Sequence, residues 1–265
     1  MNFENNLKKL NTSLETKVQY FLFDQNSDWN LNILLGKKLK IEWNGQINCV
    51  HCGRITRKSY SQGYCFPCSQ TVPEADLSIV KPELDMAHLG ISKDMEWAKT
   101  HSLVEHYVYL ADTSSLKVGI TRFNQIPTRW IDQGATQGLI VAKVPYRNLA
   151  GQIELALKKH YADKTNWRQM LSCRGPVVEN IEQEAQNVHQ ILEKNFSEYC
   201  IQHTPIQIDY PVLEYPQKVN AINLDDTPTF EGVLTGIKGQ YLIFDAHHVI
   251  NIRKYSGYYV RLSAL

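Results

Sequence analysis

Glu105-His-Tyr-Val-Tyr-Leu-Ala111, Asp112-Thr-Ser-Ser115 and Leu116-Lys-Val-Gly-Ile-Thr121 stand in succession near the middle of the chain. Two runs rich in aromatic and β-branched residues flank a short polar cluster, and that pattern predicts a β-hairpin. Residues 126–133 follow as a short helix with Pro127 in its first turn. Leu139 to Val144 reads as a third strand, and Asn148 caps a helix that runs to about Tyr161. The order strand, strand, helix, strand, helix predicts an α+β core built on a three-stranded antiparallel sheet.

Four polar side chains occupy informative points of this order. Tyr109 lies in the first strand, Lys117 opens the second, Arg129 is in the short helix and Glu154 in the longer one. Ala150, Ile153, Leu157 and Tyr161 recur at helical spacing and define a buried stripe. At about 100° per residue, Glu154 falls about 40° from Ala150, inside that stripe. A carboxylate there is costly unless it meets a cation. Either a metal ion or Arg129 satisfies it, and a Glu154–Arg129 salt bridge would be purely structural.

Upstream, four of the six cysteines fall in one block, Cys49-Val-His-Cys52 and Cys65-Phe-Pro-Cys68. Two C-x2-C pairs present four thiolates to one ion at about 2.3 Å, the usual shell of structural zinc. Gly53 and Gly63 let the backbone turn under the sulfurs. Disulfides are disfavoured because no secretory signal precedes the block. An iron–sulfur cluster uses the same four ligands, and the spacing does not exclude it. A closed four-sulfur site has no open position for catalysis. Its expected work is to staple a small lobe and to carry Arg54, Arg57 and Lys58 toward nucleic acid. Cys173 and Cys200 read as ordinary buried thiols, and His51 as a bystander inside the first loop.

The remaining segments complete an α+β expectation. Residues 17–24 and 38–43 read as strands, and residues 71–104 as an acidic connector with two prolines. A second helix is expected from about Pro176 to Tyr199. Short strands at 230–234, 240–245, 249–253 and 258–262, with glycine-containing turns, suggest a small β-barrel or curled sheet. The expected division is 1–104, 105–170, 171–205 and 206–265. The chain has 265 residues, 43% hydrophobic and 21% charged, which excludes a mostly disordered polypeptide. No apolar run approaches the ~18 residues of a membrane span, so no membrane partner and a cytoplasmic location are expected. The net charge of +1 hides a block structure: residues 37–70 carry six basic and one acidic side chain, and residues 105–170 nine and five. Such blocks either neutralise acidic neighbours in the fold or form a footprint for a phosphate backbone.

The central segment resembles the GIY-YIG nuclease superfamily over residues 105–168. Tyr107-Val108-Tyr109 stands where the first signature stands, and Lys117-Val118-Gly119 where the second does. Ile120-Thr121-Arg122 follows, then Arg129 ten residues after Gly119, Glu154 on the next helix, and Asn166 as the closing polar residue. The cysteine block, this core and the Gly236-Ile-Lys-Gly-Gln-Tyr241 tail together look like an uncharacterised bacterial family of unknown function. The nuclease resemblance implies single-metal phosphodiester hydrolysis. Glu154 would bind Mg²⁺ or Mn²⁺, Tyr109 would help activate water, and Arg129 would stabilise charge on phosphorus. Arg122 would join the basic residues that meet nucleic acid. Lys117 replaces the tyrosine of the second signature, where it could contact the phosphate, lower the pKa of Tyr109, or mark a domain that binds without cutting. Tyr107 replaces a glycine of the first signature. His88, His101 and His106 read as surface histidines rather than a second metal site.

Three functions follow as expectations: a metal-dependent endonuclease, with DNA favoured over RNA; a nucleic-acid-binding zinc protein without turnover, for DNA or structured RNA; and an interaction module in which Glu154 and Arg129 only hold the fold.

Overall fold

The computed structural model describes residues 2–23 and 28–265. The strand expected at 17–24 is present as far as Phe23, and Asp24 lies outside the described residues. In chain order the elements are β1 (Asn2–Asn6), β2 (Asn11–Ser13), β3 (Gln19–Phe23), β4 (Asp28–Asn30), β5 (Lys38–Ile47), α1 (Phe66–Thr71) and α2 (Met95–His101). Next come β6 (His106–Asp112), β7 (Leu116–Arg122), α3 (Thr128–Asp132), β8 (Gln137–Val144), α4 (Arg147–Leu157), α5 (Trp167–Ser172) and α6 (Ile181–Phe196). The chain closes with β9 (Ile206–Gln207), β10 (Asn220–Ala221), β11 (Thr229–Lys238), β12 (Tyr241–Phe244), β13 (His248–Asn251) and β14 (Tyr258–Ala264). These form two compact units, one of residues 1–70 and 209–265, the other of residues 71–208.

The unit of residues 71–208 holds the predicted hairpin. β6 lies between β7 and β8, antiparallel to both, and β9 adds a fourth strand beyond β8. The three-stranded sheet is thus extended by a two-residue strand too short to carry a sequence signal. Val108, Leu110, Val118 and Val141 pack with Ile153 and Leu157 of α4 and Val188 and Leu192 of α6. The stripe inferred for α4 therefore faces the core. The helix begins at Arg147, and Asn148 sits in its first turn instead of capping it. The Asn148 amide donates to the Glu83 and Asp85 carbonyls at 2.8 and 2.9 Å, a tertiary use that local pattern does not reveal. The expected connector holds 3₁₀ turns and α2. Pro73 and Pro82 each open one turn, where a missing N–H costs nothing.

In the other unit β5 pairs antiparallel with β11 on one side and β14 on the other, and β1 pairs with β14. The order β1-β14-β5-β11-β12-β13-β10 joins both ends of the chain in one open sheet. Of the two shapes expected for the C-terminal strands, the closed barrel is not formed. β5 stands between β11 and β14, and the sheet ends in two edges, β1 and β10, that do not pair with each other. β2, β3 and β4 form a separate small sheet.

The polar cluster at 112–115 is more than a turn. Asp112 is buried, and its Oδ2 accepts from the backbone N–H groups of Val177 and Val178 at 2.8 and 2.9 Å and from Gln137 Nε2 at 3.1 Å. This carboxylate ties the end of the hairpin to the segment before α6. Its removal strands three donors. Urea denaturation of Asp112→Ala is expected to show a loss of about 3 kcal/mol or more.

Candidate functional site

Tyr109 and Gly119 are direct cross-strand partners in the β6–β7 register. A Cβ at position 119 would lie 2.6 Å from the Tyr109 hydroxyl, so glycine is what lets that ring lie across β7. Trp130 of α3 meets the same ring edge-on at 5.8 Å. The Tyr109 hydroxyl accepts from Gln133 Nε2 at 2.9 Å and is also engaged by the Arg129 guanidinium. Arg129 and Gln133, four residues apart, thus converge on one oxygen. Tyr109 is fully buried, and burial pushes its phenol up while the two donors oppose that shift.

Lys117 follows on β7 with only 7% of its surface exposed. Burial and then the Arg129 charge pull its ammonium down to about 8, against the opposing charges of Glu154 and Asp163. Glu154 comes from α4, its side chain 13% exposed. Burial raises its carboxyl, opposed first by Lys158. Among the described residues its ion pair is with Lys158, at 3.4 Å, and not with Arg129. Lys158 Nζ also stands 3.9 Å from Asp163 Oδ2, so one ammonium bridges two carboxylates at the solvent edge of the cluster. Tyr109, Lys117, Arg129 and Glu154 lie within charge–charge range of one another. The sequence-derived residues are therefore brought together, and the place is enclosed rather than an open cleft.

Arg122 closes β7 opposite His106 and is half-buried. His106 is buried, with Nδ1 2.7 Å from the Val104 carbonyl; burial drives its pKa down to about 4. That corrects its reading as a surface histidine: position 106 faces inward at the start of β6. His88 is exposed and stacks on Tyr146, and half-buried His101 stacks on Trp97. Asn166 caps α5 by accepting from the Gln169 N–H at 3.3 Å. Sequence reasoning missed Gln133, Lys158 and Asp163. The i,i+4 spacings Arg129–Gln133 and Glu154–Lys158 were the available signals for the first two.

The second site is the cysteine block. The sulfurs of Cys49, Cys52, Cys65 and Cys68 lie within 4.8 Å of one another, and Cys52 Sγ to Cys65 Sγ is 3.8 Å. A tetrahedral shell with bonds of about 2.3 Å needs sulfur–sulfur separations of about 3.8 Å, so the donor set fits one ion. Burial pushes the Cys49 thiol up, but backbone N–H groups of Cys52, Cys65 and His51 outweigh it and bring it to about 6. Burial raises the Cys68 thiol. Gly53 and Gly63 take φ of 72° and 131°, as expected of the turns under the sulfurs. The Arg54 guanidinium meets the Cys52 sulfur, whereas Arg57 and Lys58 are exposed further along the loop. Cys173 and Cys200 are half-buried.

The fold is a mixed α+β chain with a four-cysteine metal-type cluster near its N-terminal side and a second, polar cluster on a four-stranded sheet. Residues 36–260 match the family described as "Protein of unknown function (DUF2797)", and the chain belongs to that family. No curated protein and no solved structure matches the chain. No helix among the described residues is long and apolar enough to cross a membrane.

Lys117 supplies a measurable consequence of this geometry. Its folded pKa of about 8 lies below the ordinary 10.5, so the unfolded chain binds more protons between those values. Wild-type stability should therefore rise as pH increases from about 8 to about 10.5, and the cost of the buried ammonium is fully present below pH 8. Urea melts are expected to find Lys117→Met more stable than wild type by about 2–3 kcal/mol at pH 7, with the gap closing above pH 10.

Proposed function

We propose that the chain is a metal-dependent phosphodiester hydrolase of nucleic acid, with DNA the favoured substrate and zinc the structural ion of its four cysteines. One observation carries the reading: Tyr109, Lys117, Arg129 and Glu154 meet at one place, with Glu154 paired to Lys158 just past the end of its helix and not to Arg129. The resemblance to the GIY-YIG nucleases supports it from the sequence.

Each residue has a task in this chemistry. Glu154 and Asp163 already share one positive charge in Lys158, and a hydrated Mg²⁺ or Mn²⁺ suits the same pair of hard oxygens. Bound there, the ion supplies positive charge to the phosphoryl group and leaving oxygen. Lys117, near 8, is neutral often enough at working pH to take a proton from water. Arg129, held against the Tyr109 hydroxyl, presents its guanidinium to charge growing on phosphorus. Enclosed as it is, Tyr109 serves to position Arg129. Binding without turnover is the second reading, favoured by that enclosure and by lysine in place of the signature tyrosine.

Oligonucleotide cleavage assays with Mg²⁺ or Mn²⁺ test the first reading. Glu154→Ala and Arg129→Ala are each expected to lose activity by about a hundredfold or more. Lys117→Arg should be as inactive as Lys117→Met, because a guanidinium stays protonated. Wild-type activity should climb with pH through about 8. No cleavage of any DNA or RNA form, or full activity in Glu154→Ala, removes the hydrolase.

For the cysteine group, elemental analysis is expected to find one zinc per chain and no visible absorption of an iron–sulfur cluster. Cys65→Ser should abolish metal content and lower the melting temperature by several degrees.

A further inference from the structure

Four cations line a cavity of about 660 Å³ in the unit that holds the cysteine block. Arg57 and Lys58 come from the metal loop, and Arg253 and Lys254 from the 3₁₀ turn after β13. Ser59, Gln62, Asn251 and Tyr258 complete the polar wall, and Asp225 is its single carboxylate. Asp225 accepts from the Tyr258 hydroxyl at 2.9 Å. Arg57, Lys58 and Lys254 form no ion pair among the described residues. Lys58 Nζ lies 5.4 Å from the Tyr60 ring centre, and Lys254 Nζ donates to the Tyr255 hydroxyl at 3.3 Å. Lysines and arginines on the adjoining sheet behave differently: Lys38, Lys40 and Arg261 are paired with Glu231, Glu42 and Glu4.

The two walls are fastened together. Asn48 N–H donates to the Gly257 carbonyl at 2.8 Å, and Ser59 Oγ reaches the Ser256 carbonyl at 3.5 Å. Asn251 Oδ1 accepts from the Lys254 N–H at 3.3 Å, and Ser256 Oγ donates to the Arg253 carbonyl at 2.8 Å. Side chains far apart in sequence are thus held facing one space. Concentrated positive charge among polar side chains, with no aliphatic residue in the lining, suits phosphate oxygens. Next to Lys58, Tyr60 meets Phe66 edge-on at 5.6 Å, and Phe66 is 58% exposed between two metal-ligand cysteines. An exposed ring beside a cationic pocket is what an unpaired base stacks on.

We infer that Arg57, Lys58, Arg253 and Lys254 form a binding site for the phosphate backbone of single-stranded nucleic acid, with Phe66 as its stacking surface. The site rests on the nucleic-acid part of the function proposed above and not on its chemistry. It depends on the metal loop for one wall.

The test is fluorescence anisotropy of labelled single-stranded and duplex oligonucleotides with the full, zinc-loaded chain, without Mg²⁺ or Mn²⁺ and over a range of salt. Arg57→Ala/Lys58→Ala and Arg253→Ala/Lys254→Ala are each expected to weaken binding roughly tenfold and to lower the slope of log affinity against log salt by about 1–2. Phe66→Ala should weaken single-strand binding more than duplex binding. Arg57→Lys/Lys58→Arg and Arg253→Lys/Lys254→Arg should bind close to wild type, which separates charge from folding, and zinc content and melting are measured on every variant. Wild-type affinity and salt slope in both alanine pairs overturn the site, as does capture of an acidic peptide with no oligonucleotide binding. Cleavage by a wild type whose alanine pairs bind normally removes this site and leaves the hydrolase standing. Weakened binding in the pairs with no cleavage by wild type does the reverse.

Discussion

An ammonium group held almost out of water at position 117 sets the terms for the unit of residues 71–208. The β6–β7 register places it, and Arg129 and Arg147 add further positive charge to the interior, with Lys158 at its solvent edge. Against them stand Glu154, Asp163 and Asp85. A fold seeking only stability would replace such a group with a hydrocarbon side chain. The sheet core of Val108, Leu110, Val118, Ile153 and Leu157 carries the cost. A buried ammonium lowered toward neutral pH is the kind of group that the chemistry proposed above would use as its proton acceptor.

What the sequence made readable follows from the range of each signal. The hairpin, α3, α4 and the C-x2-C pairs are local patterns of periodicity, turn chemistry and ligand spacing, and all are present, although α4 ends at Leu157, short of Tyr161, and is not capped by Asn148. The inward placement of Glu154 needed only helical geometry. Its partner was a different matter. The carboxylate had two candidate cations, and the choice of Lys158 over Arg129 depends on how α3 and α4 meet the sheet. His106 was misplaced because β6 is an interior strand buried along nearly its whole length, which its own sequence does not announce.

Long-range pairing was the larger blind spot. β5 binds β11 and β14 across roughly two hundred residues of sequence, and β1 reaches β14 from the other end of the chain. Strand content of those segments was legible, but the identity of a strand's neighbour is not written in its own alternation. The β-rich termini therefore read as separate pieces, although they share one sheet. Arg253 and Lys254 escaped notice on the same account. In sequence Arg253 ends an ordinary expected strand and Lys254 follows it, and only the fastening of Asn48 and Ser59 to residues 256–257 turns them toward the metal loop.

Charge tells the same story at the scale of the whole chain. A net of +1 invites the view that basic and acidic blocks cancel, and for many side chains they do. Lys38, Lys40 and Arg261 lie against carboxylates of their own or neighbouring strands, and Lys143 against Glu105 just before β6. Among the described residues Arg57, Lys58 and Lys254 have no ion pair, although Asp225 lines the same cavity. The metal loop has no acidic residue between Cys49 and Cys68, and the turn at 252–256 has none either. The sulfurs engage Arg54, so the loop's positive charge divides into one group committed to the metal shell and two facing solvent. Loading the metal would therefore fix the shape of the basic wall without consuming its charge. That makes the four-cysteine staple a condition for the cavity's electrostatics as well as for the folding of its lobe.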